Sequence, residues 1–300
     1  MRTVLTLGLV VGFALPGCSG VTAEEDHDGR LSVIASFYPL AFVAQRIGGR
    51  CVEVIDLTPP GAEPHDLELT PDDVASIATA DVVLYLGGGF QPAVEDAIEE
   101  AEGLTVDVLQ DVSTLAESEQ EQGGPAVDPH VWLDPGRFAT VADQVEDALL
   151  RSGIPGRCGV RDRADELRDR LAALDQRFRA GLADCRLDVF VTSHAAFGYL
   201  ADAYGLRQVA IAGLEPDTEP DPKRLADIAA VVRAEHVDTI FTEELVSPEL
   251  AETLAQETGA RTAVLATIEG LTEQEAQAGA DYLSLMEEDL DALRGALDCA

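Results

Sequence analysis

Residues 187–212, LDVFVTSHAAFGYLADAYGLRQVAIA, decide the fold because they repeat the pattern of residues 31–57, LSVIASFYPLAFVAQRIGGRCVEVIDL. Each stretch passes from an apolar strand pattern through a helical one into a second strand. Four positions also match at a constant offset of 157: Val33, Ser36, Ala44 and Gly48 recur as Phe190, Ser193, Ala201 and Gly205. The chain is therefore predicted to contain two homologous lobes.

Strand and helix patterns alternate within each lobe, which predicts parallel sheets with crossover helices. The first lobe is expected to have strands at 31–36, 51–57, 81–86 and 104–108 and helices at 39–48, 71–79 and 91–101. The second is expected to have strands at 187–193, 207–212 and 238–242 and helices at 195–204 and 223–234. The predicted class is α/β, with two Rossmann-like lobes that face each other across a cleft.

A long rigid helix is expected to join the lobes. Residues 159–184 place apolar side chains on one stripe at helical spacing, at Leu167, Leu171, Leu174 and Phe178. Another helix is expected before it, at 136–151. The predicted domains are a first lobe at 31–157, a connecting helix at 158–185 and a second lobe at 186–300.

The net charge excludes some classes of partner. The chain has 56 acidic and 20 basic residues, for a formal charge of −36. Nucleic acids and anionic lipid surfaces attract proteins through Lys and Arg, so neither is an expected partner. The charge is compatible with attraction of cations.

The N-terminus, MRTVLTLGLVVGFALPGCSG, resembles a signal peptide at residues 1–17, with Arg2 before a short apolar run. The following Leu-Pro-Gly-Cys resembles a bacterial lipobox and makes Cys18 the candidate for lipid modification. Residues 18–30 are polar and are expected to be a tether, which includes His27. The protein is therefore predicted to be exported, either anchored to the outer face of the cytoplasmic membrane or periplasmic.

Four further cysteines remain in a chain expected to be exported, where disulfides are permitted. Cys158 and Cys185 bracket the long helical pattern and are predicted to pair, which requires the helix to be short and the chain to double back. By elimination, Cys51 is predicted to pair with Cys299.

Three of the five histidines are expected at the ends of strands, around the cleft. His65 follows the second strand, His130 lies in DPHVWLDP before a helix, and His194 follows strand 187–193 directly. A single loop histidine is more often solvated or hydrogen-bonded than metal-bound. Three imidazoles at one cleft, however, are a common zinc ligand set when an oxygen completes it. His236 is expected to be an ordinary surface residue.

The pattern offers three candidates for the fourth ligand. Glu243, Glu244 and Glu269 all lie at the ends of strands in the second lobe, and each could supply an oxygen.

Five stretches resemble the zinc- and manganese-specific solute-binding proteins of bacterial ABC importers, the cluster A-I group, and the resemblance covers residues 31–297. They are PPGAEPHDLELTP, DPHVWLDP, VTSHAAFGYLADAYGL, FTEELVSPELAETLAQETGA and ATIEGLTEQEAQAGADYLSLMEEDL. The resemblance implies two lobes on one long helix, with the metal between them. It implies extracytoplasmic capture of Zn²⁺ and its delivery to an ABC permease by a monomer that is not an enzyme.

The resemblance also assigns the ligands. The first three family positions fall on His65, His130 and His194. Many zinc-binding members place an aspartate where this chain has Ala266, which cannot bind a metal. A subgroup similar to streptococcal zinc-binding lipoproteins uses a nearby glutamate, which makes Glu269 the expected fourth ligand and Glu243 the reserve. A nitrogen-rich site favours zinc over manganese.

Residues near the ligands are expected to orient the imidazoles: Glu63, Asp66, Asp128, Asp134 and Ser193. Trp132 and Phe197 either line the cleft or belong to the core. The acidic stretch 114–127 contains no histidine and is expected to be a mobile insertion; the alternative is that it gathers cations loosely by its charge.

Two other functions compete with metal capture. Three histidines and a water also form a catalytic zinc site, but a hydrolase needs an open coordination position, and the chain lacks HExxH and GxSxG. A surface adhesin with a structural metal is the third hypothesis, although no stretch indicates an adhesive surface.

Overall fold

The computed structural model describes residues 29–115 and 127–300, and its first sheet contains four parallel strands. The strands are β1 (Leu31–Ala35), β2 (Val52–Asp56), β3 (Val82–Tyr85) and β4 (Leu104–Asp107). Their order in the sheet is β2-β1-β3-β4. The central strands carry buried apolar residues on both faces, as in a sheet covered by helices on both sides.

Prolines mark the starts of the helices in this lobe. They lie in the first turns of α1 (Tyr38–Gly48), α2 (Pro71–Thr79) and α3 (Pro92–Ala97). Proline suits this place because the first-turn N–H groups have no partner within the helix. Thr70 and Asp73 cap α2 reciprocally. The loop that carries His65 therefore ends at a defined residue, Thr70, where α2 begins.

Two longer helices follow, α4 (Pro135–Arg151) and α5 (Val160–Gly181). The stripe predicted from the sequence is buried: Leu167, Leu171, Leu174 and Phe178. α5 packs against α1 and α4 on the first-lobe side and against the C-terminal helix α10 (Tyr282–Leu297). The helix therefore connects the lobes and also belongs to their shared core.

The elements of the second lobe are β5 (Val189–Thr192), α6 (Gly198–Tyr204), β6 (Arg207–Ala210), α7 (Pro222–Ala234), β7 (Thr239–Thr242), α8 (Glu249–Thr258), β8 (Arg261–Val264) and α9 (Glu273–Ala278). Their strand order, β6-β5-β7-β8, repeats that of the first lobe and confirms the fold class predicted from the repeat. Gly205, with φ +69, ends α6. Its counterpart Gly48 is still part of α1, and the glycine with positive φ there is the next residue, Gly49.

The lobes are in direct contact. One hydrophobic cluster contains residues of both sheets, including Val33 and Phe241. Trp132, in the turn before α4, donates its indole N–H to the carbonyl of Thr267 at 2.7 Å. Tyr282 of α10 donates its hydroxyl proton to the carbonyl of Trp132 at 2.6 Å. Trp132, one of the predicted cleft residues, thus joins the two halves.

The predicted disulfides are wrong. Cys51 bonds to Cys158, and Cys185 bonds to Cys299. The α5 helix has 22 residues and does not double back. At 1.5 Å per residue it spans roughly 33 Å, and a disulfide cannot bridge its two ends. Each bond instead joins one end of α5 to a neighbouring helix. Cys158, before α5, bonds to Cys51 after α1, and Cys185, after α5, bonds to Cys299 after α10. Arg163 strengthens the first of these ends by donating to the carbonyls of Ile47 and Gly48.

Several predictions lie outside the described residues or stay predictions. Residues 1–17, Cys18 and His27 fall outside, as does most of the acidic stretch 114–127. The domain limits 31–157, 158–185 and 186–300 stay predictions. Among the helices of residues 29–115 and 127–300, none has the length and apolar character needed to cross a membrane.

Candidate metal centre

His65 is held in a short 3-10 turn, Pro64–Asp66, after β2. The carboxyl of Glu63 accepts the backbone N–H of His65 at 3.2 Å. The amide of Gln91 donates to the carbonyl of Pro64, also at 3.2 Å. The loop therefore positions the histidine backbone from both sides.

His130 is fully buried just before the turn that leads into α4. Asp128 accepts its backbone N–H at 2.9 Å and lies 2.8 Å from the ring nitrogen Nδ1. Because a carboxylate can only accept, this contact places the ring proton on Nδ1. The lone pair of Nε2 then faces the centre of the site.

His194 is held in the same way at the end of β5. Glu243 accepts its backbone N–H at 3.0 Å and lies 2.6 Å from Nδ1. Glu243, expected as the reserve ligand, therefore orients an imidazole from its outer side. Its neighbour Glu244 lies near Glu275, and partial burial of the Glu244 carboxyl together with the Glu275 charge raises its pKa to about 7.

Glu269 lies in the loop after β8 and is 1% exposed. The residue before it, Ile268, has φ +54. This left-handed conformation is unfavourable for a β-branched side chain and persists only where the surrounding structure imposes it. The backbone is thus strained beside a buried carboxylate.

The four predicted side chains meet at one point between the lobes. Ligand atoms of His65, His130, His194 and Glu269 all lie within 4.8 Å of one another. Oε1 of Glu269 is 3.1, 3.5 and 3.8 Å from the Nε2 atoms of His130, His194 and His65. The Nε2 atoms of His130 and His194 are 3.3 Å apart. A tetrahedral zinc ion with bonds near 2.0–2.1 Å separates its ligand atoms by roughly 3.3 Å.

Several of these polar atoms lack hydrogen bonds. Within the described part of the chain, neither ring nitrogen of His65 nor Oε1 of Glu269 makes one, although all three atoms are buried. Buried polar atoms without partners are rare because their desolvation is costly. The convergence of Nε2 of His65 and Oε1 of Glu269 on the centre of the cluster fits a bound cation.

The imidazoles and carboxylates of the cluster shift one another's pKa values. Burial lowers the pKa of His65, but the carboxylates of Glu215 and Glu269 outweigh burial and raise that pKa to about 9. Burial also opposes the charge on His194, yet Glu243 and Glu269 raise its pKa well above the ordinary value. Burial raises the pKa of Glu269, but the three imidazoles hold it well below its usual range.

Aromatic rings pack beside two of the clustered imidazoles. Phe90 lies edge-on to His65, with ring centres 4.7 Å apart, and Trp132 lies 5.2 Å from His130. Phe197 is buried and packs near Phe190, so it belongs to the core. Phe90 was not predicted, because its GGGF turn after β3 contains no chemical signal.

The orienting residues were predicted only in part. Asp128 orients a ring, and Glu63 holds a backbone N–H. Asp134 instead caps α4 and pairs with Arg137, and the hydroxyl of Ser193 donates to the carbonyl of Phe241. Asp66 is largely exposed and orients no imidazole; slight desolvation and the neighbouring Asp217 carboxyl raise its pKa.

Sequence reasoning missed Glu215 altogether, although it lies on the Pro-rich loop that follows β6. Its Oε2 lies 3.4 Å from Nδ1 of His65. His236 is exposed, as expected.

The chain matches a known protein family over most of its length. Residues 33–296 match the ZnuA family, described as zinc-uptake complex component A, periplasmic. Zinc-binding lipoprotein AdcA of Streptococcus pneumoniae is 34% identical over 306 residues, which is 98% of this chain and 60% of AdcA. The chain thus spans about 60% of the length of that relative.

One further relative and one solved structure match along most of their length. The high-affinity zinc uptake system protein ZnuA of Bacillus subtilis is 33% identical over 294 residues, which is 94% of this chain and 92% of that protein. The crystal structure of the Zn(II)-bound ZnuA-like domain of S. pneumoniae AdcA superposes with a TM-score of 0.76 at 35% identity, and the match covers 90% of this chain and all of that one. The chain belongs to the ZnuA family of zinc-uptake solute-binding components.

Proposed function

We propose that the protein captures Zn²⁺ outside the cytoplasmic membrane and delivers it to an ABC permease. The observation that carries the proposal is the buried convergence of three imidazoles and one carboxylate between the lobes. Relatives named for zinc binding and zinc uptake support it.

The proposed ligands are His65, His130, His194 and Glu269. Three nitrogens and one oxygen at these separations suit tetrahedral zinc, whereas manganese prefers more oxygen ligands. The charge of Glu269 offsets part of the ion's charge in a site shielded from water. Asp128 and Glu243 keep Nε2 of His130 and His194 directed at the ion.

We propose a carrier rather than an enzyme because the site has four protein ligands. A catalytic zinc usually has three, with a water in the fourth position. Here Glu269 occupies that position, and the aromatic rings of Phe90 and Trp132 pack beside the ligands. A hydrolase would need space for water beside the ion.

The transport cycle follows from the placement of the ligands. His65 and His130 belong to the first-lobe side, and His194 and Glu269 belong to the second. Zinc binding displaces protons and joins the two sides. Because α5 packs on both, the lobes are expected to move little, and release requires the permease to separate the ligand pairs.

The same proposal covers location and assembly. The signal-like N-terminus with Cys18 and the relatives named lipoproteins support an exported monomer, tethered to the membrane or periplasmic. The permease is its proposed partner.

Calorimetric titration of chelator-stripped protein with zinc tests the function. One zinc per chain with submicromolar affinity is expected. Glu269→Ala should weaken binding by more than roughly a hundredfold, since loss of an orienting group alone costs about 10–100-fold. The matched variant Glu244→Ala should bind as the native protein does. Absence of zinc binding by the native protein would contradict the proposal.

A further inference from the structure

Each imidazole of the site faces a carboxylate through Nδ1, the ring nitrogen that points away from the centre of the cluster. The three carboxylates come from different parts of the chain. Asp128 lies two residues from His130, and Glu243 belongs to the same lobe as His194. Glu215 differs, because it lies on the second lobe after β6, whereas His65 lies on the first lobe after β2. The His65–Glu215 pair therefore exists only while the lobes face each other.

The two loops that meet here correspond in the repeat. Each follows the second strand of its lobe, and each carries the pattern Gly-x-Glu-Pro, at residues 61–64 and 213–216. Glu63 of the first copy accepts the backbone N–H of His65. Glu215 of the second copy faces the ring of the same histidine. The two lobes thus hold one imidazole from opposite sides.

His65 is the imidazole that its own lobe fixes least. Its Nδ1 lies 3.4 Å from Glu215, compared with 2.8 Å and 2.6 Å for the corresponding contacts of His130 and His194. Within the part of the chain that the structure describes, neither ring nitrogen of His65 makes a hydrogen bond. The His65 side chain is 1% exposed, whereas that of Glu215 is 37% exposed. Glu215 is thus the outermost support of a buried ligand.

We propose that Glu215 is a positioning residue, which orients His65 only while the lobes are together and thereby sets how long zinc stays bound. The inference rests on the proposed zinc function. With zinc present, Nδ1–H of His65 donates to Glu215, and Nε2 faces the ion. Separation of the lobes removes Glu215 from the ring, so His65 becomes free to turn away. Opening of the lobes and loss of His65 as a ligand then occur together.

Zinc dissociation from the full chain tests this role. Stopped-flow mixing of zinc-loaded protein with excess chelator should give a dissociation rate about 10–100-fold faster for Glu215→Gln than for the native protein. Glu219→Gln is the matched control, because Glu219 is an exposed acid on the same loop. Its rate should equal the native rate. The thermal unfolding of both metal-free variants should also be native, since Glu215 contributes little to the core.

Ring-nitrogen NMR of the zinc-loaded proteins separates positioning from general damage. In Glu215→Gln, the Nδ1–H resonance of His65 should lose the downfield shift of a carboxylate-bonded proton. The resonances of His130 and His194 should keep theirs. A native dissociation rate in Glu215→Gln, or an equal change in all three resonances, would overturn the proposal. A native protein that binds no zinc would instead overturn the proposed function, and this would be evident before any substitution.

Discussion

The two lobes share one strand order but use equivalent positions for different chemistry. Phe37 follows β1, and His194 follows β5 at the corresponding place, 157 residues later. Phe37 is fully buried against Phe90 and Trp132, with ring centres 5.2 and 4.9 Å apart. His194 instead directs Nε2 toward Glu269 at 3.5 Å. At this position the first lobe has Phe37, which packs behind the site, whereas the second lobe has His194, a proposed ligand.

The loops that follow the second strand of each lobe likewise carry different functional residues. The first-lobe loop carries His65, whereas the second-lobe loop carries Glu215, which faces His65. Neither lobe contains the four side chains alone. A repeated fold has therefore produced a site that is complete only at the contact between its copies.

Replacing the supporting residue should cause the largest loss of stability. Phe37→Ala removes a fully buried ring and is expected to lower the free energy of unfolding by about 3–5 kcal/mol. Chemical denaturation measures this value. The four proposed ligands remain, so the folded variant should still bind one zinc ion. Complete loss of zinc binding by a folded variant would mean that Phe37 belongs to the site itself.

Making the second lobe resemble the first should abolish tight zinc binding. His194→Phe removes a proposed ligand and leaves Glu243 buried without its imidazole. The affinity should fall by more than roughly a hundredfold, beyond the usual cost of losing an orienting group. Zinc titration measures the loss, with His236→Phe as the control because His236 is exposed. An unchanged affinity in His194→Phe would refute the asymmetric ligand set.

The hydrogen bond from Trp132 to Thr267, which joins the lobes, should contribute less to the free energy of unfolding than the ring of Phe37 does. Trp132→Phe keeps an aromatic ring but removes the N–H that donates to Thr267. The buried carbonyl then lacks this partner, which should cost about 1–3 kcal/mol of unfolding free energy. The temperature of unfolding, with and without zinc, measures the effect. A native value would mean that the hydrogen bond contributes nothing to joining the lobes.

The most gradual of the expected effects is that of pH. The Glu215 and Glu269 carboxylates overcome burial and raise the pKa of His65 to about 9, and the pKa of His194 is raised as well. Zinc binds neutral imidazole, so below that pH it must displace protons. Apparent affinity should therefore rise with pH, by about tenfold per unit for each proton released, until about pH 9.

Competition titrations in buffers of increasing pH measure this slope. The proton release found by calorimetry in buffers of different ionisation enthalpy should agree with it. An affinity independent of pH would contradict the protonation assigned to His65 and His194.

The fold was largely predictable because it depends on periodic patterns. Apolar strands that alternate with helical stretches, and the offset between Ser36 and Ser193, predict two parallel sheets. The grouping of His65, His130, His194 and Glu269 was also predictable, since all four follow strands or precede a helix at the edge where parallel strands end. Only a structure could show that their ligand atoms converge.

Features that depend on distances between remote elements were not predictable. The pairing of Cys51 with Cys158 requires knowing that the end of α1 lies beside the start of α5. Glu215 is distant in sequence from His65 and meets it only after the lobes dock. Glu243 was recognised by its position, but its role depends on which side of His194 it contacts.

X-ray absorption at the zinc edge of the zinc-loaded protein measures the coordination of the ion itself. We expect four-coordinate zinc, with nitrogen and oxygen atoms at about 2.0–2.1 Å and the scattering of three imidazoles. In Glu269→Ala, a water should replace the carboxylate while the three imidazoles remain. A native spectrum with two imidazoles or with a bound water would contradict a closed site made by His65, His130, His194 and Glu269.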